Sequence, residues 1–479
     1  MSASTIIGRQ YEVHLLEQIE KRKEPQLVAI YGRRRVGKTF LVKKFFDEKF
    51  DFAFTGSYQT ATLIQLTLFA QALAEYSCTP PQRFKTWFEA FTALKDYLKT
   101  LKKKKIVVFL DEIPWMDNQK SNFLAAFSQF WNAWASTANG MKVIVCGSAT
   151  TWMLDKFVGD KGGFYGRNNR AIYLAPFTLG ETQKYLKHRG IQWARPQIAE
   201  TYMILGGIPY YLDMLDPTLP LVINIDRLFY AQGAPLKAEY DFLFRTLFKE
   251  ATLYRNIVET IAKKVKGVTR AEIKEALKLK EGGELTTALK NLQKCDFIRM
   301  YSAYGKKERE MMYQLTDLYT LYYLRFVKAG NSQDEHYWSN IDDHSHDTWA
   351  GYAFEMLCMH HITQIKQKLG INGILTNACS WQTKPLIDKD GTSWKGTQID
   401  LLLERADHTI NVCEMKYSKG EYVITESYDR HLHERIDTFR HHTGTTDALP
   451  VVFVTSFGLK KNTYSSNYHL EVTLNDLFE

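Results

Sequence analysis

One run of residues restricts what this chain can fold into more than any other: Gly32-Arg33-Arg34-Arg35-Val36-Gly37-Lys38-Thr39. The run has the spacing G-x-x-x-x-G-K-[ST] of a phosphate-binding loop. An apolar stretch, residues 26–31, precedes it, and a stretch with helical periodicity, residues 40–46, follows it. Such flanks predict a buried strand before the loop and a helix after it. We therefore predict a P-loop (Walker A) at the start of an α/β domain.

Each position in this loop has a chemical reason. Gly32 and Gly37 allow the backbone to fold tightly around phosphate oxygens. The free N–H groups at the start of the following helix point at an anion. Lys38 is expected to neutralise the β- and γ-phosphates, and the Thr39 hydroxyl is expected to bind Mg²⁺. ATP and Mg²⁺ are therefore the predicted cofactors.

Size and charge set the broad class. A chain of 479 residues is too long for one core, and a length prior suggests about three domains. The 45% apolar and 24% charged residues are typical of a globular protein. The net charge of +9, from 62 basic and 53 acidic side chains, permits contact with nucleic acid without requiring it.

Cysteines and the N-terminus indicate the compartment. The six cysteines contain no CxxC pair, which indicates reduced thiols in a cytoplasmic protein. The first residues lack a basic head followed by an apolar segment, so no signal peptide is expected. No apolar run approaches the ~20 residues that span a bilayer, so we predict no membrane partner.

The pattern along the chain predicts several domains. Residues 26–175 alternate short apolar runs with longer amphipathic ones, which predicts a parallel sheet with crossover helices. Helical patterns follow, and then the order helix, helix, hairpin, which is that of a winged helix-turn-helix. The predicted strands of the core are Leu27–Tyr31, Phe52–Thr55, Ile106–Asp111, Val143–Gly147 and Ala171–Leu174. The predicted domains are a P-loop ATPase core (1–177), a helical lid (178–245), a winged helix (246–330), a linker (331–346) and a C-terminal α/β domain (347–479).

A second apolar run supplies the other half of a nucleotide site. Residues 105–110 are apolar after the first lysine and end in Asp111 and Glu112. Because ligands bind at the carboxyl ends of strands in open α/β sheets, Asp111 is predicted to hold Mg²⁺. Glu112 is predicted to polarise the water that attacks the γ-phosphate, with Lys38 as the second catalytic residue.

Two further residues are candidate nucleotide sensors. Ser148 ends the predicted strand 143–147 and either senses the γ-phosphate or is a simple turn serine. Arg167 either contacts nucleotide in its own subunit, reaches a neighbouring copy in a homo-oligomer, or forms an exposed salt bridge. The full set of predicted ATP-binding residues is Gly32, Arg35, Val36, Gly37, Lys38, Thr39, Phe40, Ser148 and Arg167.

The chain resembles a group of prokaryotic AAA+-type ATPases that are related to the STAND class. The matching segments are Ile7-Gly8-Arg9, Tyr31–Thr39, Asp111-Glu112, Gly147-Ser148, Gly166-Arg167 and Leu205–Leu212. The resemblance implies an ASCE/AAA+-like P-loop core followed by a winged helix and a restriction-endonuclease-like domain. It therefore covers nearly the whole chain.

The C-terminal region carries a second candidate site. Residues 398–404 and 409–416 predict two strands, and a hairpin centred on Asp407 places Asp400 opposite Glu414. Two carboxylates this close repel each other unless a cation such as Mg²⁺ or Mn²⁺ bridges them. Lys416 shares a side with Glu414 and is the predicted catalytic lysine. Glu355, an acid on an otherwise apolar helix face, is the predicted third ligand.

This set resembles the D…E-x-K signature of restriction-endonuclease-like nucleases. Two outcomes stay open: metal-dependent DNA cleavage, or an ATP-dependent switch or scaffold that has an inactive nuclease-like domain and binds protein partners. A basic stretch either contacts a DNA backbone or is a solvated basic helix. The second helix of the winged helix either contacts DNA or belongs to a protein-docking module. The candidate side chains are Arg430, His431, His433, Arg435 and Arg440, with Thr286, Thr287, Lys290, Asn291 and Lys294.

Overall fold

The computed structural model describes most of the chain in two compact units. The described residues are 6–159, 169–264, 267–280, 282–301, 304–305, 311–329, 334–387, 391 and 393–479. The first unit is Met1–Pro176 with Ile208–Tyr210, and the second unit is Phe177–Gly207 with Tyr211–Glu479. The predicted lid, winged helix, linker and C-terminal domain therefore fall almost entirely in one unit.

The helices and strands alternate in the first unit and form separate groups in the second. The helices are α1 Gln10–Lys21, α2 Lys38–Phe45, α3 Thr62–Ser77, α4 Trp87–Thr100, α5 Phe123–Ala133, α6 Thr150–Trp152, α7 Leu179–His188, α8 Arg195–Leu205, α9 Pro209–Asp213, α10 Leu221–Phe229, α11 Glu239–Leu247, α12 Ala251–Ala262, α13 Arg270–Ala276, α14 Glu284–Lys294, α15 Leu318–Tyr322, α16 Asp343–His360, α17 Ile362–Lys368 and α18 Glu426–Thr443. The strands are β1 Gln26–Tyr31, β2 Phe52–Thr55, β3 Ile106–Asp111, β4 Met141–Gly147, β5 Asn169–Tyr173, β6 Val268–Thr269, β7 Ile298–Tyr301, β8 Met312–Leu315, β9 Thr376–Thr383, β10 Leu386–Ile387, β11 Ser393–Trp394, β12 Thr397–Arg405, β13 Thr409–Lys416, β14 Val451–Thr455 and β15 Leu470–Thr473.

The first unit is built on a parallel five-stranded sheet with the order β2-β3-β4-β1-β5. Strands β1, β3 and β4 are buried along almost their whole length, which explains their nearly continuous apolar sequences. Strand β4 lies between β1 and β3. The ends of β1, β4 and β3 are therefore neighbours, and they bring three sequence-distant segments together. The prediction of a parallel α/β core is confirmed.

Aromatic side chains dominate the core on one face of this sheet. The rings of Phe69, Trp87 and Phe123 pack with centroids 5.5 Å (Phe69–Trp87) and 5.0 Å (Trp87–Phe123) apart. They join α3, α4 and α5 to the sheet in one apolar cluster. Burial of such large rings supplies much of the hydrophobic stabilisation that holds the strand ends in place.

The second unit begins with helices. Helices α7 to α11 cover the segment predicted to be a helical lid. Helix α8 ends at Gly206, whose φ of 70° is left-handed, and Gly207 follows with φ 66°. An added Cβ at Gly207 would lie 2.4 Å from the Phe177 carbonyl oxygen, so no larger residue fits there. The glycine pair therefore ends the helix.

A small three-stranded sheet follows, with the order β6-β8-β7 and antiparallel pairing throughout. Helices α12, α13 and α14 accompany it. Thr269 and Glu272 form the predicted capping box at the start of α13, each side chain bonding the other residue's backbone N–H. The order helix, strand, helix, helix, hairpin agrees with the sequence prediction for this segment.

The predicted polar linker is packed rather than solvated. Trp338 is 2% exposed, and its backbone N–H donates to Asp226 Oδ1 at 2.7 Å. Its ring packs edge-on against Trp349 of α16 at 5.3 Å. The described part of 331–346 therefore packs against neighbouring elements, and its role as a linker stays a prediction.

The C-terminal region is a mixed five-stranded sheet with the order β15-β14-β13-β12-β9. Strands β9, β12 and β13 pair antiparallel, and β13, β14 and β15 pair parallel. Helix α18 is the crossover between β13 and β14. Within the part of the chain that the structure describes, no helix combines the length and the apolarity needed to cross a membrane.

Candidate functional site

The loop between β1 and α2 has the backbone that phosphate binding requires. Gly32 has φ 146°, and an added Cβ there would lie 2.3 Å from the Leu174 carbonyl oxygen. Gly37 has φ 93° and caps α2, and an added Cβ there would meet no atom within 4 Å. The first glycine is thus needed for close packing, and the second faces open space at a helix N-terminus. An anion fits that space.

Lys38 lies across the loop. Its Nζ donates to the carbonyl oxygens of Gly32 at 3.0 Å and Arg33 at 2.9 Å, and the residue is 5% exposed. Burial lowers the pKa of the Lys38 ammonium, and the carboxylates of Glu112 and Asp111 oppose that shift. A buried ammonium held only by carbonyl oxygens is well placed to bind phosphate oxygens, which carry full charge.

Thr39 and Asp111 meet at the sheet edge although 72 positions separate them in sequence. The Thr39 hydroxyl donates to Asp111 Oδ2 at 2.9 Å. Burial, followed by the charge of the adjacent Glu112, raises the pKa of Asp111 to about 6. The site thus holds a carboxylate at a cost in free energy, which a bound cation would relieve.

Ser148 contacts the predicted catalytic glutamate. Its backbone N–H and its hydroxyl donate to Glu112 Oε2, at 3.0 and 2.9 Å. Glu112 itself has φ 49°, in the left-handed region that is uncommon for a residue with a side chain. The end of β4 therefore fixes the orientation of the carboxylate at the end of β3.

The structure adds two residues to the loop that sequence reasoning did not select. Arg9, 5% exposed, donates from Nη2 to the Val36 carbonyl oxygen at 3.0 Å. The guanidinium of Arg35, whose backbone φ is 71°, lies 4.0 Å from the ring centroid of Tyr210. The only sequence signal for Arg9 and Tyr210 was the family resemblance, because no local spacing links them to the loop.

Two predicted ATP-binding residues remain, Phe40 and Arg167. Phe40 is 54% exposed on the first turn of α2, beside the loop. Arg167 lies outside the described residues. The predicted Mg²⁺ ligands Thr39 and Asp111 present a hydroxyl and a carboxylate oxygen side by side, which is the hard-oxygen set that Mg²⁺ prefers. These residues fit the metal.

Comparison with known proteins supports this geometry. Residues 7–215 match a family described as an ATPase domain predominantly from Archaea. This part of the chain is a P-loop ATPase domain. An uncharacterized protein of Methanocaldococcus jannaschii is 26% identical over 365 residues, which is 75% of this chain and 78% of the relative. An uncharacterized ATP-binding protein of the same organism is 44% identical over 43 residues, 9% of this chain and 73% of the relative.

Solved structures are also similar to this chain. A Walker-type ATPase of Pyrococcus abyssi shares 19% identity with a TM-score of 0.46, over 67% of this chain and 97% of that one. The ORC2 protein of Aeropyrum pernix, in ADPNP and ADP complexes, shares 14% identity with a TM-score of 0.45, over 67% of this chain and 93% of that one.

Beyond the ATPase domain, the predicted hairpin has the predicted register. Leu401 pairs with Cys413 and Arg405 pairs with Thr409, as a turn centred on Asp407 requires. Continuing this register places Asp400 opposite Glu414. Lys416 Nζ lies 3.5 Å from Glu414 Oε2, so the predicted lysine and glutamate do share a side.

Glu414 is already bound by protein groups. Its Oε1 accepts from Arg435 Nη1, and its Oε2 accepts from the Tyr428 hydroxyl at 2.5 Å. The residue is 4% exposed. Burial disfavours the charge of Arg435, but the Glu414 carboxylate raises the Arg435 pKa overall. Arg435 was predicted to contact a DNA backbone, and that prediction was wrong because its guanidinium neutralises Glu414.

A second arginine faces the other two predicted ligands. Arg299 of β7 donates from Nε to Gln314 Oε1 at 2.7 Å and from Nη1 to Met359 Sδ at 3.1 Å. Met359 is one turn along α16 from Glu355. Burial lowers the pKa of Arg299, and the charges of Asp400 and Glu355 oppose the shift, so both carboxyl groups lie within electrostatic range.

The predicted metal site of Glu355, Asp400 and Glu414 does not fit a metal. Among the residues that the structure describes, no group of three or more His, Cys, Asp or Glu side chains could hold a metal ion. The physical reason is that the carboxylate of Glu414 is committed to Arg435 and Tyr428. A register that brings two acids together is necessary for a metal site but not sufficient.

The other candidate DNA contacts are mixed. On α18, Arg430 pairs with Glu426 and His433 pairs with Asp429, and both basic side chains are exposed. On α14 the side chains predicted to face DNA divide by exposure. Thr286 accepts a hydrogen bond from Arg270 Nε at 3.2 Å, and Asn291 donates to the Tyr254 hydroxyl at 2.7 Å. The exposed members are Thr287 and Lys290.

Proposed function

We propose that this chain is a Mg²⁺-dependent ATPase that acts as a molecular switch, and that its nucleotide state controls a DNA-contacting C-terminal region. The observation that carries the proposal is the hydrogen bond of 2.9 Å between Thr39, at the start of α2, and Asp111, at the end of β3. Both residues carry oxygen ligands for Mg²⁺. Lys38 lies within the same loop. Burial of the charged Lys38 and Asp111 beside an open glycine loop costs free energy, and such perturbed groups are typical of functional sites.

The residues divide the work of hydrolysis. The loop N–H groups and Lys38 bind the β- and γ-phosphates, and Mg²⁺ held by Thr39 and Asp111 would neutralise charge on them. Glu112 orients and polarises the attacking water, whose oxygen bonds to the γ-phosphorus while the bond to the β–γ bridging oxygen breaks. Ser148 keeps the Glu112 carboxylate in position through its two hydrogen bonds.

A contact next to the loop supports coupling to the rest of the chain. Tyr210 stacks on Arg35 and belongs to Ile208–Tyr210, a segment that packs with the first unit. Its chain neighbours on both sides belong to the second unit. Gly206 and Gly207, both with positive φ, precede it and can absorb backbone rotation. A nucleotide that repositions Arg35 therefore acts on the segment that joins the two units.

Topology supports DNA contact by the second unit. The three-stranded sheet with α12, α13 and α14 has the element order of a winged helix, and α14, its second helix after the first strand, exposes Thr287 and Lys290. The mixed sheet with α16 and α18 has the element order of restriction-endonuclease-like domains. We infer the DNA-binding role from these two arrangements together.

ATP hydrolysis by the full chain tests the first half of the proposal. We expect Lys38→Ala to lose nucleotide binding and hydrolysis, and Glu112→Gln to keep binding but lose hydrolysis. Lys43→Ala, at an exposed lysine of the same helix, is the matched control and should hydrolyse ATP like the wild type. Equal rates in Lys38→Ala and Lys43→Ala would refute the ATPase mechanism.

DNA binding tests the second half. We expect duplex DNA affinity to differ between ADP and a non-hydrolysable ATP analogue. Lys290→Ala should weaken binding and reduce the slope of log affinity against log salt by about 1. Lys99→Ala, an exposed lysine of α4, should leave both unchanged. The switch would need another output if no nucleotide state bound DNA.

That other output is protein docking, and one contact favours it. The backbone N–H of Tyr304, which follows β7, donates to the Ser380 carbonyl oxygen at 2.7 Å, and its ring packs on Phe439 at 5.2 Å. Part of the hairpin turn of the small sheet thus makes a protein contact within the second unit. Absence of DNA binding together with nucleotide-dependent capture of a defined protein would favour this function.

A further inference from the structure

We infer that the guanidinium of Arg435 takes the place of a metal ion in the C-terminal acidic cluster, so that this domain neutralises Glu414 without a divalent cation. The cluster consists of Glu355, Asp400 and Glu414. The inference rests on the proposed function only in the restriction-endonuclease-like fold of this region.

The first step concerns Glu414, where both oxygens are occupied. Arg435 binds Oε1, and Tyr428 binds Oε2 with Lys416 at 3.5 Å from it. Tyr428 and Arg435 lie seven residues apart on α18 and therefore share one face of the helix. That face packs on the sheet, and its other members are Leu432 and Phe439, 1% and 0% exposed. The guanidinium is thus held between α18 and the sheet, with 23% of the Arg435 side chain exposed.

The second step concerns Arg299, which enters from a different sheet. It is held on three sides, by Gln314, Met359 and the ring of Tyr301, whose centroid is 4.6 Å from the guanidinium carbon. Its charge acts on both Asp400 and Glu355.

The third step is the charge balance. The cluster brings together three carboxyl groups, those of Glu355, Asp400 and Glu414, and three cationic side chains. The cationic side chains are Arg299, Lys416 and Arg435. A divalent cation would add two positive charges beside these three cationic side chains, and it would have to displace the guanidinium from Glu414. Breaking such a pair leaves an uncompensated charge in the core.

Two consequences follow for this domain. Glu414, which the sequence offers for cleavage, instead holds α18 against the sheet. Arg299 joins the small three-stranded sheet to α16 through Met359.

A metal titration on the full chain tests the inference. The nucleotide-free protein is melted with and without Mn²⁺ in an Asp111→Asn background, so that the ATPase site cannot contribute. We expect no Mn²⁺-dependent shift in melting temperature, and no nicking of supercoiled plasmid by wild-type protein in Mg²⁺ or Mn²⁺. Arg435→Ala should gain a Mn²⁺-dependent rise in melting temperature, and Glu414→Gln on top of it should abolish that rise.

Three results would overturn the inference. The first is a Mn²⁺-dependent shift in melting temperature that occurs without the Arg435 substitution and is removed by Asp400→Asn. The second is plasmid nicking that Asp400→Ala abolishes. The third is an Arg435→Ala variant that folds but shows no Mn²⁺-dependent shift in melting temperature. If Arg435→Ala does not fold, the other two measurements decide. ATP hydrolysis is measured on the wild-type preparation. Absence of ATP hydrolysis would refute the proposed function but not this inference. Plasmid nicking would refute this inference but not the proposed function.

Discussion

The ATPase site and the C-terminal cluster contain the same kinds of side chain, but their carboxylates are neutralised in different ways. Each has a buried carboxylate on a strand, Asp111 on β3 or Glu414 on β13, and a lysine nearby. At the ATPase site, Asp111 is met by a neutral hydroxyl, and burial raises its pKa to about 6. In the C-terminal cluster, Glu414 is met by the guanidinium of Arg435. One site keeps a charge that needs an external partner, and the other supplies the partner itself.

This difference teaches that acidic motifs must be judged by what satisfies them. A carboxylate that the fold leaves under-neutralised is a ligand site, because binding a cation recovers the free energy spent on burial. A carboxylate with a bidentate or multiple internal partner is a structural element. Sequence spacing alone does not separate the two cases.

The largest expected effect is on the stability of the C-terminal cluster. Arg435→Met should lower the free energy of unfolding of the second unit by about 3 kcal/mol, because it removes the guanidinium that neutralises the buried Glu414 carboxylate. Urea denaturation followed by tryptophan fluorescence measures this. Arg430→Met, on the same helix in an exposed pair, should change stability by less than about 0.5 kcal/mol. Equal effects of the two substitutions would mean that the cluster is not sealed by Arg435.

The next effect is on catalysis at the ATPase site. Thr39→Val removes the hydroxyl that meets Asp111 and should lower the ATPase rate about 100-fold, because phosphoryl transfer depends on correctly placed charge. Thr92→Val, at an exposed position of α4, is the control. Steady-state hydrolysis in Mg²⁺ measures both. A Thr39→Val rate near that of the control would remove Thr39 from the metal site.

A smaller effect is expected at Ser148. Ser148→Ala removes one of the two hydrogen bonds to Glu112 and keeps the backbone bond. We expect kcat to fall about tenfold, with KM nearly unchanged, because Glu112 would be less well oriented but the phosphates would bind as before. A change confined to KM would show that Ser148 contacts the nucleotide instead.

Local patterns predicted the ATPase site well. The strands Phe52–Thr55 and Ile106–Asp111 were predicted to the residue, since each is a short apolar run with clear ends. The glycine spacing located the loop, and alternation about Asp407 predicted the register of β12 and β13. These features depend on neighbours in sequence, which is why they could be predicted.

Long-range partners could not be predicted. The contact of Arg9 with Val36 and that of Arg435 with Glu414 depend on how whole elements pack. One signal for Arg435 was present: it occupies the same helical stripe as Leu432 and Phe439, so it had to face the core. The packing of the predicted linker was missed for a similar reason, because Trp338 was outnumbered by polar residues.

The contrast between the two sites is tested most directly by converting Asp111 or Glu414 to its amide in nucleotide-free protein. The quantity measured is the change in the free energy of unfolding. Asp111 has its pKa raised from 3.8 to about 6, so the folded state binds its proton more tightly than the unfolded state does. Stability from this group is therefore present below pH ~4 and lost as the pH rises through about 6.

At pH 7.5 Asp111→Asn should therefore stabilise the first unit by about 1–3 kcal/mol while abolishing Mg²⁺-dependent hydrolysis. Glu414→Gln should destabilise the second unit by about 2–3 kcal/mol, because Arg435 loses its counter-charge. Denaturant unfolding of both variants at this pH measures whether each substitution raises or lowers the free energy of unfolding. Opposite signs are the predicted result, and a Glu414→Gln variant that is as stable as wild type, or an Asp111→Asn variant that is less stable, would contradict the account.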